Sequence, residues 1–340
     1  QTFTPVVDFI RQAARDENVL AIKQTLYRVS GNSPIIVALA EAAENGKQVT
    51  VLVELKARFD EENNLETAEQ MQKAGIHIIY SIPGLKVHAK VALVLCREKD
   101  GKAKTSYAYI STGNFNEKTA TVYSDSALFT SNPEIVDDLH QLFRVLGREL
   151  EAPSFKHLLV PRFNLVPQLL GLLEYEKQEA LAGRPAHVVL KMNALQDKAM
   201  IDELYRASEA GVQIDLIVRG ICCLIPNQPY SRNIRITRIV DGFLEHARVW
   251  YFYHGGEEKV FLGSPDWMRR NLYRRIEVVV PVLDKNLKRE LIDMLHIQLT
   301  DNQKACRVDN QLRNIFKSPS DENQIRSQYA FYDYLKDKNE

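Results

Sequence analysis

Apolar and polar positions along the chain fall into blocks whose period changes from strand-like to helical and back. The run VLAIKQTLYRV at 19–29 predicts a strand, and PIIVALAEAAEN at 34–45 carries helical spacing. Gly46 interrupts that helix, and the β-branched run VTVLVEL at 49–55 predicts a second strand. Helical spacing returns at 62–74, and the runs at 76–81, 87–96 and 105–111 predict strands, with Asp100-Gly101 as a hairpin turn between the last two. A further helix is predicted over 132–149. Pro153 and Pro161 then mark a less periodic stretch, which sets domains at 1–155 and 156–340. Beyond it the pattern restarts, with AHVVLKMN (186–193) as strand, 196–210 as helix and VQIDLIVRG (212–220) as strand.

The restart is an internal repeat. ENGKQVTVLVEL (44–55) lies over EAGVQIDLIVRG (209–220), pairing Gly46 with Gly211 and Glu54 with Arg219. Each copy then has a histidine followed two residues later by a base, His88-Ala89-Lys90 and His246-Ala247-Arg248. In a strand that spacing puts both side chains on one face. Farther on, STGNFNEKTATVYSD (111–125) lies over GSPDWMRRNLYRRIE (263–277), matching Asn114 with Asp266, Lys118 with Arg270 and Asp125 with Glu277. An ordered series at one offset is a duplication rather than coincidence.

Composition narrows the function. With 45% apolar residues over 340, the chain has material for two packed domains. Lys plus Arg and Asp plus Glu both total 44, so no global basic field is available and no nucleic-acid partner is expected. An anion site must be local. The four cysteines form no CxxC pair or disulfide framework, which fits a reducing cytoplasm, and Cys222-Cys223 reads as buried packing. No apolar run approaches a membrane span, and residues 1–20 lack a signal-peptide layout. Starting at Gln1 inside an amphipathic pattern, the chain reads as a piece of something longer.

An isolated HxK is more often a surface pair than a catalytic unit; two copies in matching contexts carry the argument. The arginines at 269, 270, 274 and 275 would ordinarily be a solvated face, but they follow SPDW in the repeat, which favours anion binding. Glu44-Asn45-Gly46-Lys47 lacks the upstream Gly and the Ser/Thr of a phosphate loop and is rejected as one. A neutral imidazole is a nucleophile near pH 7. Lys90 and Arg248, each two residues after a histidine, and Arg270 in the repeat are candidates for local positive charge around an anion. Asp125 and Glu277 could each accept the ring N–H of the histidine in their own half and fix its tautomer.

The duplicated HxK resembles the phospholipase D superfamily, in which two such motifs meet across a pseudo-twofold axis. The resemblance implies two duplicated α/β domains, each a mixed β-sheet flanked by helices, with the active site in the cleft between them. The chain departs from HxKxxxxD, with Leu95 and Tyr253 where acids are expected and Arg248 in place of Lys. Longer strings point elsewhere: KQTLYRVSGNSPI, VTVLVELKARFDEE, PGLKVHAK, STGNFNEKTA, LIVRGICCLIPN and SPDWMRRN resemble polyphosphate kinases of the phosphohistidine-forming type, across essentially the whole chain through YAFYDYLK.

That resemblance implies reversible transfer of the terminal phosphoryl group of ATP to His88 and on to inorganic polyphosphate. Tyr123, Arg219 and His246 match nucleotide-contacting positions, with His88 and His246 the catalytic pair. Mg²⁺ is implied near Arg28 and Arg58. A guanidinium donates hydrogen bonds and accepts none, so these two read as clamps on the phosphates that carry the metal. Lys90, Arg248 and Arg270 are expected on phosphate, and Asp125, Glu277, Asn114 and Asp266 behind them. ATP, ADP and polyphosphate are the expected partners, with a homo-oligomer; peripheral membrane association stays open. A phospholipase D-like phosphodiesterase or nuclease and a catalytically inactive duplicate are the alternatives.

Overall fold

In the computed structural model, which describes residues 2–27, 33–54, 61–80, 85–99, 102–103, 105–316 and 324–339, the repeat becomes two compact units. The first is Gln1–Asn164 with Tyr273–Val280; the second is Leu165–Leu272 with Pro281–Glu340. The segment 273–280 thus belongs by sequence to the second repeat and by packing to the first unit.

The first unit holds a six-stranded mixed sheet in the order Ala127–Thr130, Tyr107–Ser111, Lys90–Cys96, Val19–Leu26, Gln48–Val53, His77–Tyr80. The last three strands are mutually parallel, and the strand 19–26 pairs antiparallel with 90–96. Parallel neighbours need a crossover, which the helices Pro34–Glu44 and Glu61–Lys73 supply. Ser33 caps the first of these by accepting from the Ile35 amide, with Pro34 in the first turn where its missing N–H costs nothing. Helices Thr4–Arg15 and Pro34–Glu44 cover one face of the sheet, burying Ile10, Ile22, Leu39 and Val51 in one core. Helix Pro133–Leu146 packs against strands 90–96 and 107–111.

The second unit repeats the plan. The strands that lie wholly within it run in the order Lys259–Gly263, Arg248–Phe252, His187–Met192, Gln213–Val218, Ile234–Ile239, Ala305–Val308, Asn314–Phe316. Again three central strands are parallel and the strand carrying the base of HxR is antiparallel to the first. The duplication reaches the register: Gln48 pairs with Ala21, and its repeat partner Gln213 pairs with His187. Gly46 (φ 76°) and Gly211 (φ 106°) both adopt the left-handed backbone that turns each crossover helix into its strand, a conformation that strains any residue with a Cβ. The expected α/β class, a mixed sheet flanked by helices in each half, is what the chain adopts.

Several boundaries differ from the pattern-based expectation. The strand expected over 87–96 is broken at His88 and Ala89, leaving Lys86–Val87 as a separate short strand before Lys90–Cys96. The first strand is Val19–Leu26, and positions 28 and 29 of the expected run lie outside the described residues. Asp100 and Gly101 lie outside the described residues, although the strands flanking them, Glu98–Lys99 and Lys102–Ala103, pair antiparallel. Cys222 is half-buried and Cys223 exposed rather than packed inside, and burial pushes the Cys222 thiol up to about 11.

Candidate active site

His88 sits at the break between two strands, where the chain offers its backbone groups to partners other than a ladder. Its N–H donates to the Ile276 carbonyl at 2.8 Å, and the Ala89 N–H donates to the same oxygen at 3.1 Å. On the preceding side the Val87 N–H donates to Glu54 Oε2 at 2.9 Å, and on the following side the Thr25 hydroxyl donates to the Ala89 carbonyl at 2.7 Å. Lys90 Nζ donates to the His88 carbonyl. Five hydrogen bonds, made by Ile276, Glu54, Thr25 and Lys90, therefore fix the backbone of residues 87–89, which orders the imidazole before any ligand arrives.

The ring is held as firmly. His88 Nδ1 lies 2.8 Å from Glu277 Oε2, a carboxylate with 0% of its side chain exposed against 15% for the histidine. The short strand Arg275–Ile276 brings it there by pairing in parallel with Lys86–Val87. Glu277 therefore meets the histidine of the first unit, although the repeat assigns it to its own sequence half; the two-residue strand pair is what carries it there. An ionised carboxylate only accepts, so it fixes the proton on Nδ1 and leaves the Nε2 lone pair bare. Burial pushes the His88 pKa down to about 4; the Glu277 charge opposes this and the Lys90 charge adds to it. Tyr27 packs edge-on against the imidazole at 5.2 Å, with Lys86 and Lys90 ammonium groups 5.1 and 5.4 Å from its ring centre.

In the second unit His246 also precedes its strand. Arg248 Nη1 donates to the His246 carbonyl at 2.6 Å and Asn193 Nδ2 to the same oxygen at 3.2 Å. The base two residues after each histidine thus folds back on that histidine's own carbonyl, because both HxK and HxR lie at a strand entry and not within the strand. Arg248 also grips Asp266 through Nε (3.2 Å) and Nη2 (3.1 Å), and Asp266 accepts from the Asn193 amide at 2.7 Å. Lys90 and Arg248 are both buried, at 2% and 4% exposure. Any phosphate contact they make uses the donors these bonds leave over.

Asn114, Tyr123 and Asp125 line one cavity of about 100 Å³ with Tyr109 and Ser126. Asp125 accepts from the Thr112 hydroxyl at 2.6 Å and presses on Gly113, where a Cβ would come within 2.5 Å of its Oδ2. Arg219 follows directly on the strand Gln213–Val218, and Arg270 is exposed on the short helix Arg269–Tyr273. Arg28 and Arg58 lie outside the described residues. Among the described residues no group of three or more His, Cys, Asp or Glu side chains could hold a metal ion.

Among the participants that escape the sequence reading are Glu54, Thr25, Asn193, Lys191 and Glu245. Lys191 Nζ pairs with Glu245 Oε2 at 2.5 Å, at 2% and 3% side-chain exposure, next to His246. Charged residues inside apolar strand runs, Glu54 after VTVLV and Lys191 within VVLKM, were the available signal.

A family model described as polyphosphate kinase C-terminal domain 1 matches residues 1–152, and polyphosphate kinase C-terminal domain 2 matches residues 158–328. The chain is 50% identical over 337 residues to the polyphosphate kinase of Halalkalibacterium halodurans, covering 98% of this chain and 47% of that protein. It spans about half the length of the curated relatives it matches. It is similar to the crystal structure of polyphosphate kinase from Porphyromonas gingivalis, with TM-score 0.94 and 54% identity over 99% of this chain and 51% of that one. Phosphatidylserine synthase from Haemophilus influenzae shares the fold alone, with TM-score 0.62 at 11% identity over 99% of this chain and 91% of that one.

Proposed function

Because the chain belongs to the polyphosphate kinase family, we propose that it carries out the phosphoryl-transfer chemistry of ATP:polyphosphate phosphotransfer, with His88 as the residue phosphorylated. The observation behind this reading is the 2.8 Å contact between His88 Nδ1 and buried Glu277. With its proton held at Nδ1, the imidazole directs Nε2 at the terminal phosphorus of ATP. The new P–N bond forms as the bridging P–O bond breaks and ADP leaves. In the second half the terminal oxygen of a polyphosphate chain attacks the same phosphorus, the P–N bond breaks, and the imidazole is restored.

His246 is assigned to acid/base work or to the terminal phosphate, and Tyr123 and Arg219 to the nucleotide, on the strength of the family resemblance. Mg²⁺ would enter with the nucleotide phosphates as part of the substrate, with Arg28 and Arg58, on the strength of the family resemblance, as clamps on those phosphates. Whatever stands at position 95 of the HxKxxxxD pattern, Glu277 gives His88 a carboxylate at hydrogen-bond distance. A phosphodiesterase reading gains nothing from the fold likeness alone.

The test uses the protein that carries this chain and ATP labelled at the terminal phosphate. Acid-labile, base-stable label on wild type and its loss in His88→Ala are expected, because no neighbouring side chain replaces a positioned imidazole. Label persisting on the folded variant refutes the assignment.

A further inference from the structure

His246 is reached through an exposed segment. Val240 and Phe243 are 66% and 48% exposed, so burial does little to hold residues 240–243. What holds them is the start of the terminal helix Ser327–Asn339. Arg326 grips Asp241 through two bonds, Nε to Oδ2 at 2.8 Å and Nη2 to Oδ1 at 2.5 Å. Gln328 then treats Phe243 as a neighbouring strand would: its Oε1 accepts from the Phe243 N–H at 3.0 Å, and its Nε2 donates to the Phe243 carbonyl at 2.7 Å. The same amide nitrogen donates to Glu245 Oε1 at 2.8 Å.

Glu245 is the link to the histidine. Its carboxylate is buried beside His246 and also accepts from Lys191 at 2.5 Å and from Gln298 at 3.0 Å. Burial raises its pKa, but the Lys191 charge and these hydrogen bonds outweigh that and hold it below the ordinary value. The helix start is itself anchored: Asp301 Oδ2 accepts from the Ser327 N–H at 2.7 Å, and Asn302 Oδ1 accepts from the Ile325 N–H at 2.8 Å. On its other side the His246 carbonyl is held by Arg248 and Asn193. The imidazole is thus carried on a backbone pinned downstream by the sheet and upstream by the terminal helix.

We propose that Arg326 and Gln328 form a latch through which the terminal helix sets the position of His246, Gln328 being a positioning residue for phosphoryl transfer. The kinetic consequence rests on the functional reading above; the positioning itself does not. The side-chain amide satisfies three groups at once, which a residue present only to fill space would not do. Releasing it lets residues 241–245 move, and misplacement of a reacting group by an ångström costs on the order of 100-fold in rate.

The experiment compares wild type with Gln328→Met, which keeps the side-chain length and removes all three hydrogen bonds, in the protein carrying this chain. Histidine labelled with carbon-13 reports the His246 ring, identified by its loss in His246→Ala. In Gln328→Met the ring resonances should shift or broaden, and kcat should fall about 10- to 100-fold with the KM for ATP nearly unchanged. Unchanged resonances and kcat overturn the latch while leaving the proposed function standing. A folded His246→Ala protein with full turnover removes the functional reading, whereas a shifted ring in Gln328→Met would still show the positioning. If Gln328→Met unfolds, the wild-type Phe243 amide decides. It should be strongly protected from hydrogen exchange despite its exposed setting, and exchange at the rate of an unstructured amide overturns the proposal.

Discussion

Glu277 Oε2 lies 2.8 Å from His88 Nδ1 although 189 residues separate them in sequence. The pair is built by exchange: the second repeat gives up residues 273–280 to the first unit, and Ile276 and Glu277 arrive together, one on the His88 backbone and one on its ring. Arg275 Nη1, 3.8 Å from Glu277 Oε1, faces the other carboxylate oxygen. A carboxylate held this way keeps its orientation through a catalytic cycle, which suits tautomer control.

Replacing that carboxylate by its isosteric amide should separate charge and tautomer from packing. In Glu277→Gln the amide can turn its NH₂ toward Nδ1, which forces the proton to Nε2 and removes the nucleophilic lone pair. Phosphoenzyme formation measured by rapid quench should fall by roughly 10²- to 10⁴-fold, the range covered by general-base and triad-carboxylate losses. A wild-type rate in the folded variant would show that Glu277 does not govern the tautomer.

The depressed pKa of His88 sets a pH signature. With the folded value about 4 and the ordinary value 6.5, the ring should stay neutral well below pH 6, and single-turnover phosphorylation should lack an acid limb near pH 6.5. Stability follows the same sign. The unfolded chain takes up the proton first as pH falls, so this contribution is full above about 6.5 and is lost between there and about 4. An NMR titration of the His88 ring checks both statements; a midpoint at or above 6.5 would mean that the Glu277 charge outweighs burial.

Period and repeat made the architecture legible, down to the paired Gly46 and Gly211, because crossover helices and buried parallel strands leave strong local patterns. The exchanged segment was not legible. A two-residue strand has no period, and the repeat alignment that matches Glu277 to Asp125 assigns each acid to its own half. Lys90 and Arg248 were recognised as charged partners of the histidines, yet their grip on the histidine carbonyls depends on where the strands begin, and pattern places such boundaries poorly. Lys191 and Glu245 belong to a pairing fixed only by tertiary structure.

Buried charge pairs in the second unit predict a stability effect of one sign. Asp266→Ala would leave the Arg248 guanidinium buried without its carboxylate, which costs about 3–5 kcal/mol. Arg270→Ala, at an exposed position of its helix, should stay within about 0.5 kcal/mol of wild type. The double replacement Arg248→Met with Asp266→Leu should recover part of the loss, since no unpaired charge then remains, while the Asn193 and Ala194 N–H groups still lack their acceptor. Denaturant unfolding ranks the three; a near-neutral Asp266→Ala would mean that water reaches the site.

A chain with 44 basic and 44 acidic residues attracts a polyanion only through local fields, and those are screened within about 10 Å at 0.1 M salt. If Arg219 and Arg270 contact polyphosphate, each contributes a screened attraction that salt removes. Affinity for polyphosphate should then fall steeply with salt in wild type. By analogy with phosphate contacts in nucleic-acid complexes, Arg219→Ala and Arg270→Ala should each flatten the slope of log affinity against log salt by about one unit. For Arg270, an exposed residue, the effect on folding should be small by comparison, because its charge acts on substrate. Titrations of polyphosphate at low and high salt, run beside thermal unfolding of each variant, read both quantities. Unchanged salt slopes in both variants would remove these arginines from the polyphosphate path and leave anion attraction to other residues.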